Sequence, residues 1–161
     1  MNAVLSRLLA AAILVTLFHG QSALAQAPLV LEWRTKMKFG KVAPETGAGG
    51  TVVLSPNANT TTITGSLTDF GGTIRRGKLK ITGEPKTFVI VTAPSSFTLR
   101  KGSSSHTMTV TNITMNFTNP IKLNKNGIKN VQFGATLTVA PNQRKGSYND
   151  EGGFIIDVVY Q

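Results

Sequence analysis

Ser103-Ser104-Ser105-His106 sets three hydroxyls beside an imidazole, the residue types that a nucleophile and its general base require. That chemistry also needs a strained turn to present the serine and a third group to orient the base, and no G-x-S-x-G run supplies the turn. The tetrapeptide is therefore expected to be a polar hairpin turn. Gly47-Ala48-Gly49-Gly50-Thr51 and Gly71-Gly72-Thr73 have the glycine density of a phosphate cradle, but neither precedes a helical pattern whose N-terminus would meet the anion, so both read as turns. Asn149-Asp150-Glu151-Gly152 offers oxygens to a calcium ion without the regular spacing of a binding loop. The chain has no Cys and two His, which removes disulfides, thiolate metal centres and multi-histidine sites. No cofactor, no metal site and no catalytic residue is expected, and the chain reads as a non-enzyme.

Charge is the next resource. Seventeen Lys and Arg stand against seven Asp and Glu, a formal net charge of +10. Arg75, Arg76, Lys78 and Lys80 form a dense cluster and are the candidate contacts for a surface polyanion. Nucleic-acid binders on β folds pair such stripes with exposed stacking aromatics, whereas here the aromatics fall in the apolar phase of strands, so nucleic acid is not an expected partner. The competing reading is a solvated strand face whose lysines protect an edge from aggregation.

The elements that must position these groups begin with a targeting segment. Arg7 leads into the run Leu8 to Phe18, followed by Ala23-Leu24-Ala25, which reads as a signal peptide over residues 1–25 with the mature chain starting at Gln26. Eleven residues rise only about 16 Å as a helix, far short of a hydrocarbon core of about 30 Å. No second stretch of that kind follows, so no transmembrane segment is expected after cleavage, and the protein is expected to be secreted, to the periplasm or the cell surface.

Beyond Gln26 the dominant period is two. Leu29, Leu31, Trp33, Thr35, Met37 and Phe39 share one face of a long extended segment, with Glu32, Arg34, Lys36 and Lys38 on the other. Strands are predicted at Gly50 to Ser55 and Thr60 to Thr64, and a hairpin-like pair at Lys78 to Thr82 and Thr87 to Thr92. From His106 to Thr118 the phase of Met108 and Val110 is opposite to that of Ile113, Met115 and Phe117, which predicts a β-bulge near Thr111-Asn112. Val131, Phe133, Ala135, Leu137 and Val139 alternate strictly, as do Phe154, Ile156, Val158 and Tyr160, so Phe133, Leu137, Val139, Phe154, Ile156 and Val158 are expected in the core. Short strands punctuated by Gly and Pro predict an all-β, antiparallel β-sandwich of immunoglobulin-like or pilin-like type. Residues 26–36 form an N-terminal extension or first strand, and 37–161 the sandwich domain.

Several segments in order carry a resemblance. Phe39-Gly40-Lys41-Val42-Ala43-Pro44, Gly50-Thr51-Val52, Ile81-Thr82-Gly83-Glu84-Pro85, Thr109-Val110-Thr111-Asn112, and Gly134 through Gln143 leading to Gly146-Ser147-Tyr148 resemble a bacterial secreted β-sandwich family of unknown function. That family is similar in turn to spore-coat-protein-U-like and pilin-like domains. The resemblance implies an extracellular structural or adhesive role. It also implies a mode of assembly by β-strand donation: Leu29, Leu31 and Trp33 resemble a donated strand, and Phe154, Ile156, Val158 and the penultimate Tyr160 resemble an edge read by a periplasmic chaperone or a partner. The implied partners are further copies in a homo-polymer or pilus-type neighbours. Both segments read equally as first and last strands of a self-complete sandwich. The alternative function is a monomeric secreted binding module whose cationic face docks on an anionic surface polymer.

Overall fold

Period-two alternation of Val, Ile, Leu and Phe with Thr, Lys and Asn favours half-buried strands, and the computed structural model, which describes residues 26–161, is built from strands throughout. The expected signal peptide, residues 1–25, lies outside the described residues. In chain order the strands are β1 (Val30–Thr35), β2 (Lys38–Phe39), β3 (Val42–Pro44), β4 (Gly50–Leu54), β5 (Thr61–Gly65), β6 (Leu67–Asp69), β7 (Ile74–Arg75), β8 (Gly77–Thr82), β9 (Phe88–Thr92), β10 (Ser96–Arg100), β11 (Thr107–Met115), β12 (Ile121–Lys122), β13 (Ile128–Val139), β14 (Asn149–Asp150) and β15 (Asp157–Tyr160). Every pairing is antiparallel.

β13 is the organiser. One of its edges pairs with β11, which continues into β10 and β14. Its other edge is divided: residues 128–133 pair with β8, and 135–139 pair with β4. β1 lies outside β8 and β5 outside β4, so the sheet splits at Gly134 and curls. A second layer, β12-β9-β15, packs over the β8 side, burying Leu79, Ile81, Val89, Val91 and Val131 between the two. On the β4 side the buried residues are Val52, Phe97, Val110, Ala135, Leu137 and Val139. There the cover is thinner, made by the short ribbons β2–β7 and β3–β6 with Tyr148 and Phe154. The result is an antiparallel, sandwich-like fold with two adjoining cores.

Strand phases in the second half follow the expected pattern. Along β13 the alternating residues from Val131 to Val139 are all buried. The β11 register shifts between Thr111 and Thr114, and Asn112 takes a φ of 48°, which is the expected bulge. Ile156 is buried, whereas Phe154, which precedes β15 and packs against both cores, and Val158, on β15, are half-buried.

Two expectations are corrected. Lys78–Thr82 and Thr87–Thr92 are not a hairpin pair: β8 belongs to the main sheet and β9 to the second layer, and the Gly83-to-Thr87 connection arches between them. Their apolar faces oppose across the first core instead of lying side by side. The long first strand is also interrupted. β1 pairs with β8, a register shift falls between Trp33 and Thr35, and β2 then joins β7 in a separate ribbon.

Candidate functional site

The residues singled out for chemistry serve turns. Lys101 N–H donates to the His106 carbonyl at 3.0 Å and Ser104 Oγ to the Lys101 carbonyl at 2.6 Å, closing the β10–β11 hairpin. Asp150 Oδ1 accepts from the N–H groups of Gly152 (3.1 Å) and Gly153 (2.7 Å), so that carboxylate closes its own loop. Among the described residues no three His, Asp or Glu side chains converge as metal ligands.

The cationic cluster is divided by the strand register. Lys78 and Lys80 lie on the outer face of β8, and Lys80 Nζ sits 3.9 Å from Glu32 on β1, which also pairs with Arg34 at 2.9 Å. Arg76 reaches the other way, its guanidinium donating to the carbonyls of Pro56 (3.4 Å) and Asn57 while its N–H meets Asn59 Oδ1 at 3.1 Å. It fastens the β4–β5 turn. Arg75 and Lys78 line a shallow depression with Thr35 and Asn59.

The chain ends meet in the structure. Leu31 and Trp33 stand opposite Ile81 and Leu79, and the Trp33 ring lies 5.9 Å from Phe133 and 5.4 Å from Phe154, so the candidate donor residues face the chain's own first core. At the other terminus β15 pairs with β9. Tyr160 Oη donates to the Ala27 carbonyl at 2.6 Å and accepts from Glu84 N–H at 2.7 Å. One hydroxyl thus ties the entry to β1, the β8–β9 arch and the last strand. Replacing Tyr160 with Phe leaves the Glu84 donor unsatisfied and is expected to cost about 1–3 kcal/mol in urea denaturation. A loss below about 0.5 kcal/mol would show that water substitutes for the hydroxyl.

A concavity lies where the second core is thinly covered. It encloses about 800 Å³. Its floor is Phe97, Leu99, Met108, Leu137 and Val139, and Phe39, Val42 and Tyr148 form walls. The exposed Lys36, Lys38, Lys41, Arg144 and Lys145 stand around it, with Asp150 as the carboxylate among its lining residues. Tyr148 Oη fixes one side of the rim, donating to the Arg144 carbonyl and accepting from Gln143 Nε2, both at 2.7 Å. Sequence reasoning placed Leu137 and Val139 of the floor in the core and missed Phe97, Leu99 and the concavity. The Lys36 and Lys38 alternation reads as the solvent face of a strand, and its joining with the loop after β13 around a thinly covered floor is a property of the fold.

Comparison with known proteins gives one family. The model of a domain of unknown function, DUF4402, matches residues 30–160. No curated protein and no solved structure gives a match. The matched region opens ahead of Met37, so it takes in β1 together with all the strands after it. With one β domain matched from its first strand to its last, the chain belongs to the DUF4402 family, a domain of unknown function.

Proposed function

We propose that the protein is an exported structural or adhesive surface subunit, related in its working to spore-coat-protein-U-like and pilin-like domains, that associates by exchanging its first strand. The observation that carries this reading is the position of β1. Among the described residues it pairs only with β8, at the margin of the main sheet, and none of its residues is buried. Val30 is 55% exposed, and Leu31 and Trp33 remain on the surface although they face inward. An edge strand with free outer N–H and C=O groups and apolar side chains is a template for pairing with another chain. The buried residues of both cores come from other elements, and β1 adds Trp33 from outside, against Phe133 and Phe154. Docking of β1 on β8 of a neighbour would reproduce in trans the contacts it makes in cis, which is how strand exchange builds assemblies at low cost. Tyr160 and Glu84 hold the closed form by their contacts with Ala27.

The test compares the exported chain with a version lacking residues 27–35, by light scattering after size exclusion and by circular dichroism. The expected result is association of the intact chain and a folded, monomeric truncated chain. An intact chain that stays monomeric at all concentrations, or a truncated chain that unfolds, would make β1 an ordinary first strand and overturn the reading.

A further inference from the structure

The concavity over the second core shares one lining residue, Trp33, with the exchanging strand β1, and strand exchange leaves the rest of its chemistry unused. We infer that it is a binding site for an anionic amphiphile, a carboxylate head on a single hydrocarbon chain. Its volume, about 800 Å³, is that of a small-ligand site. A floor of Phe97, Leu99, Met108, Leu137 and Val139 presents hydrocarbon and a polarisable thioether, surfaces that gain by excluding water and offer little to a polar sugar or peptide. The rim carries the second half of the recognition. Lys36 and Lys38 come from the β1–β2 segment, Lys41 from the β2–β3 connection, and Arg144 and Lys145 from the loop after β13. Two separate stretches of chain, 36–41 and 144–145, therefore bring cations to one mouth. Asp150, the carboxylate there, is occupied by the Gly152 and Gly153 N–H groups.

Charge complementarity selects the occupant. A neutral apolar chain would leave the rim cations in water unchanged, and a small anion alone would make no use of the apolar lining. An acyl carboxylate satisfies both, its tail covering the floor and its head meeting ammonium groups that the flexible lysine stems can bring inward. Trp33 also lines the concavity and is the chain's single tryptophan, so its emission reports the tail's arrival.

The experiment titrates the exported chain with dodecanoate below its micelle concentration, by calorimetry and Trp33 emission, beside acetate and the uncharged dodecyl maltoside. Dodecanoate is expected to saturate at one equivalent with a change in Trp33 emission, acetate to give no saturable signal, and the maltoside to bind about tenfold more weakly. The triple variant Lys38→Gln, Lys41→Gln, Lys145→Gln alters exposed side chains only and is expected to fold normally, to associate as the native chain does and to lose about tenfold in dodecanoate affinity. Absence of saturable dodecanoate binding, equal binding of the maltoside, or unchanged affinity in the triple variant would overturn the assignment. Saturable binding of a peptide of residues 27–35, with none of dodecanoate, would overturn it in favour of strand addition at the groove. Association is read separately by light scattering, so failure of the amphiphile site and failure of strand exchange are distinct results.

Discussion

Replacing Phe133 with alanine is expected to lower folding stability by about 3–5 kcal/mol, the range for emptying a fully buried aromatic site. Phe133 has no exposed surface, and its ring meets Trp33 at 5.9 Å, Phe154 at 5.9 Å and Phe117 at 6.3 Å. The last two contacts are edge-on, the arrangement that aligns the positive edge of one ring with the negative face of the next. On the backbone Phe133 pairs with Gly77 of β8 on one side and Met115 of β11 on the other, so the side chain hangs from the middle of the sheet. Removing it strips a ring partner from Trp33 of β1, from Phe117 after β11 and from Phe154 before β15. Domains are stable by about 5–15 kcal/mol, so a loss of this size shifts the urea midpoint strongly. Phe133→Leu, which refills part of the volume, should recover much of the loss. A Phe133→Ala change below about 1 kcal/mol would mean that the aromatic cluster is not packed as described.

What the sequence made legible, and what it did not, divides along one physical line. Alternation reports which side of a strand meets hydrocarbon, and it does so well where large apolar residues recur at every second position. That is why the buried face of β13 and the bulge at Asn112 could be read before any partner was known. Alternation does not report which strand lies next door. β8 and β9 have clean inward faces separated by a Gly-Glu-Pro turn, a pattern shared by hairpins and by arches that cross between layers. β10 is hard to read because Thr98 and the run Pro94-Ser95-Ser96 hide Phe97 and Leu99 inside turn chemistry, although Phe97 is buried. At Met37 the chain leaves the main sheet and enters the β2–β7 ribbon while keeping its inward phase, so the sequence runs on without a break where the structure changes sheets.

The candidate site shows the same division. Arg75, Arg76, Lys78 and Lys80 are close in sequence, but alternation along β8 and the turn before it sends Arg76 to the β4–β5 turn and Lys80 to Glu32. Lys36, Lys38 and Lys41 lie far in sequence from Arg144 and Lys145, and the fold gathers the two groups. A cationic surface built from non-local loops leaves no spacing signal, because the distance between its members is set by strand pairing and not by chain separation. Leu137 and Val139 of the floor were visible as core, and the incomplete cover was not, since cover depends on how many strands the second layer holds.

Gly134→Ala is expected to destabilise the protein by about 3 kcal/mol, at the upper end of the cost of forcing extra atoms into a packed interior. Gly134 is the residue at which one edge of β13 passes from β8 to β4, between the Phe133–Gly77 and Ala135–Leu54 pairs. A Cβ there would collide with the Leu54 carbonyl oxygen and stand 2.6 Å from Pro56 N and 2.9 Å from Pro56 Cδ. Those atoms belong to backbone and to a rigid ring, so no rotamer change relieves the overlap. The end of β4 must withdraw, which drags the fully buried Leu54 and loosens the ladder that supports Val52 opposite Leu137. The smaller entropy of the unfolded alanine chain offsets only about 0.4–1 kcal/mol of this. Gly153→Ala is the matching control, because its Cβ would find its nearest neighbour, Phe97 Cβ, at an ordinary 3.4 Å, and stability should stay within about 0.5 kcal/mol. Hydrogen exchange should locate the damage: amides of β4 and β5 should lose protection in Gly134→Ala before those of β8 and β9, since the former pair hangs from the half of β13 beyond the substitution. Uniform loss across both halves would show that the two cores unfold as one unit, and wild-type stability would show that the sheet does not split at Gly134.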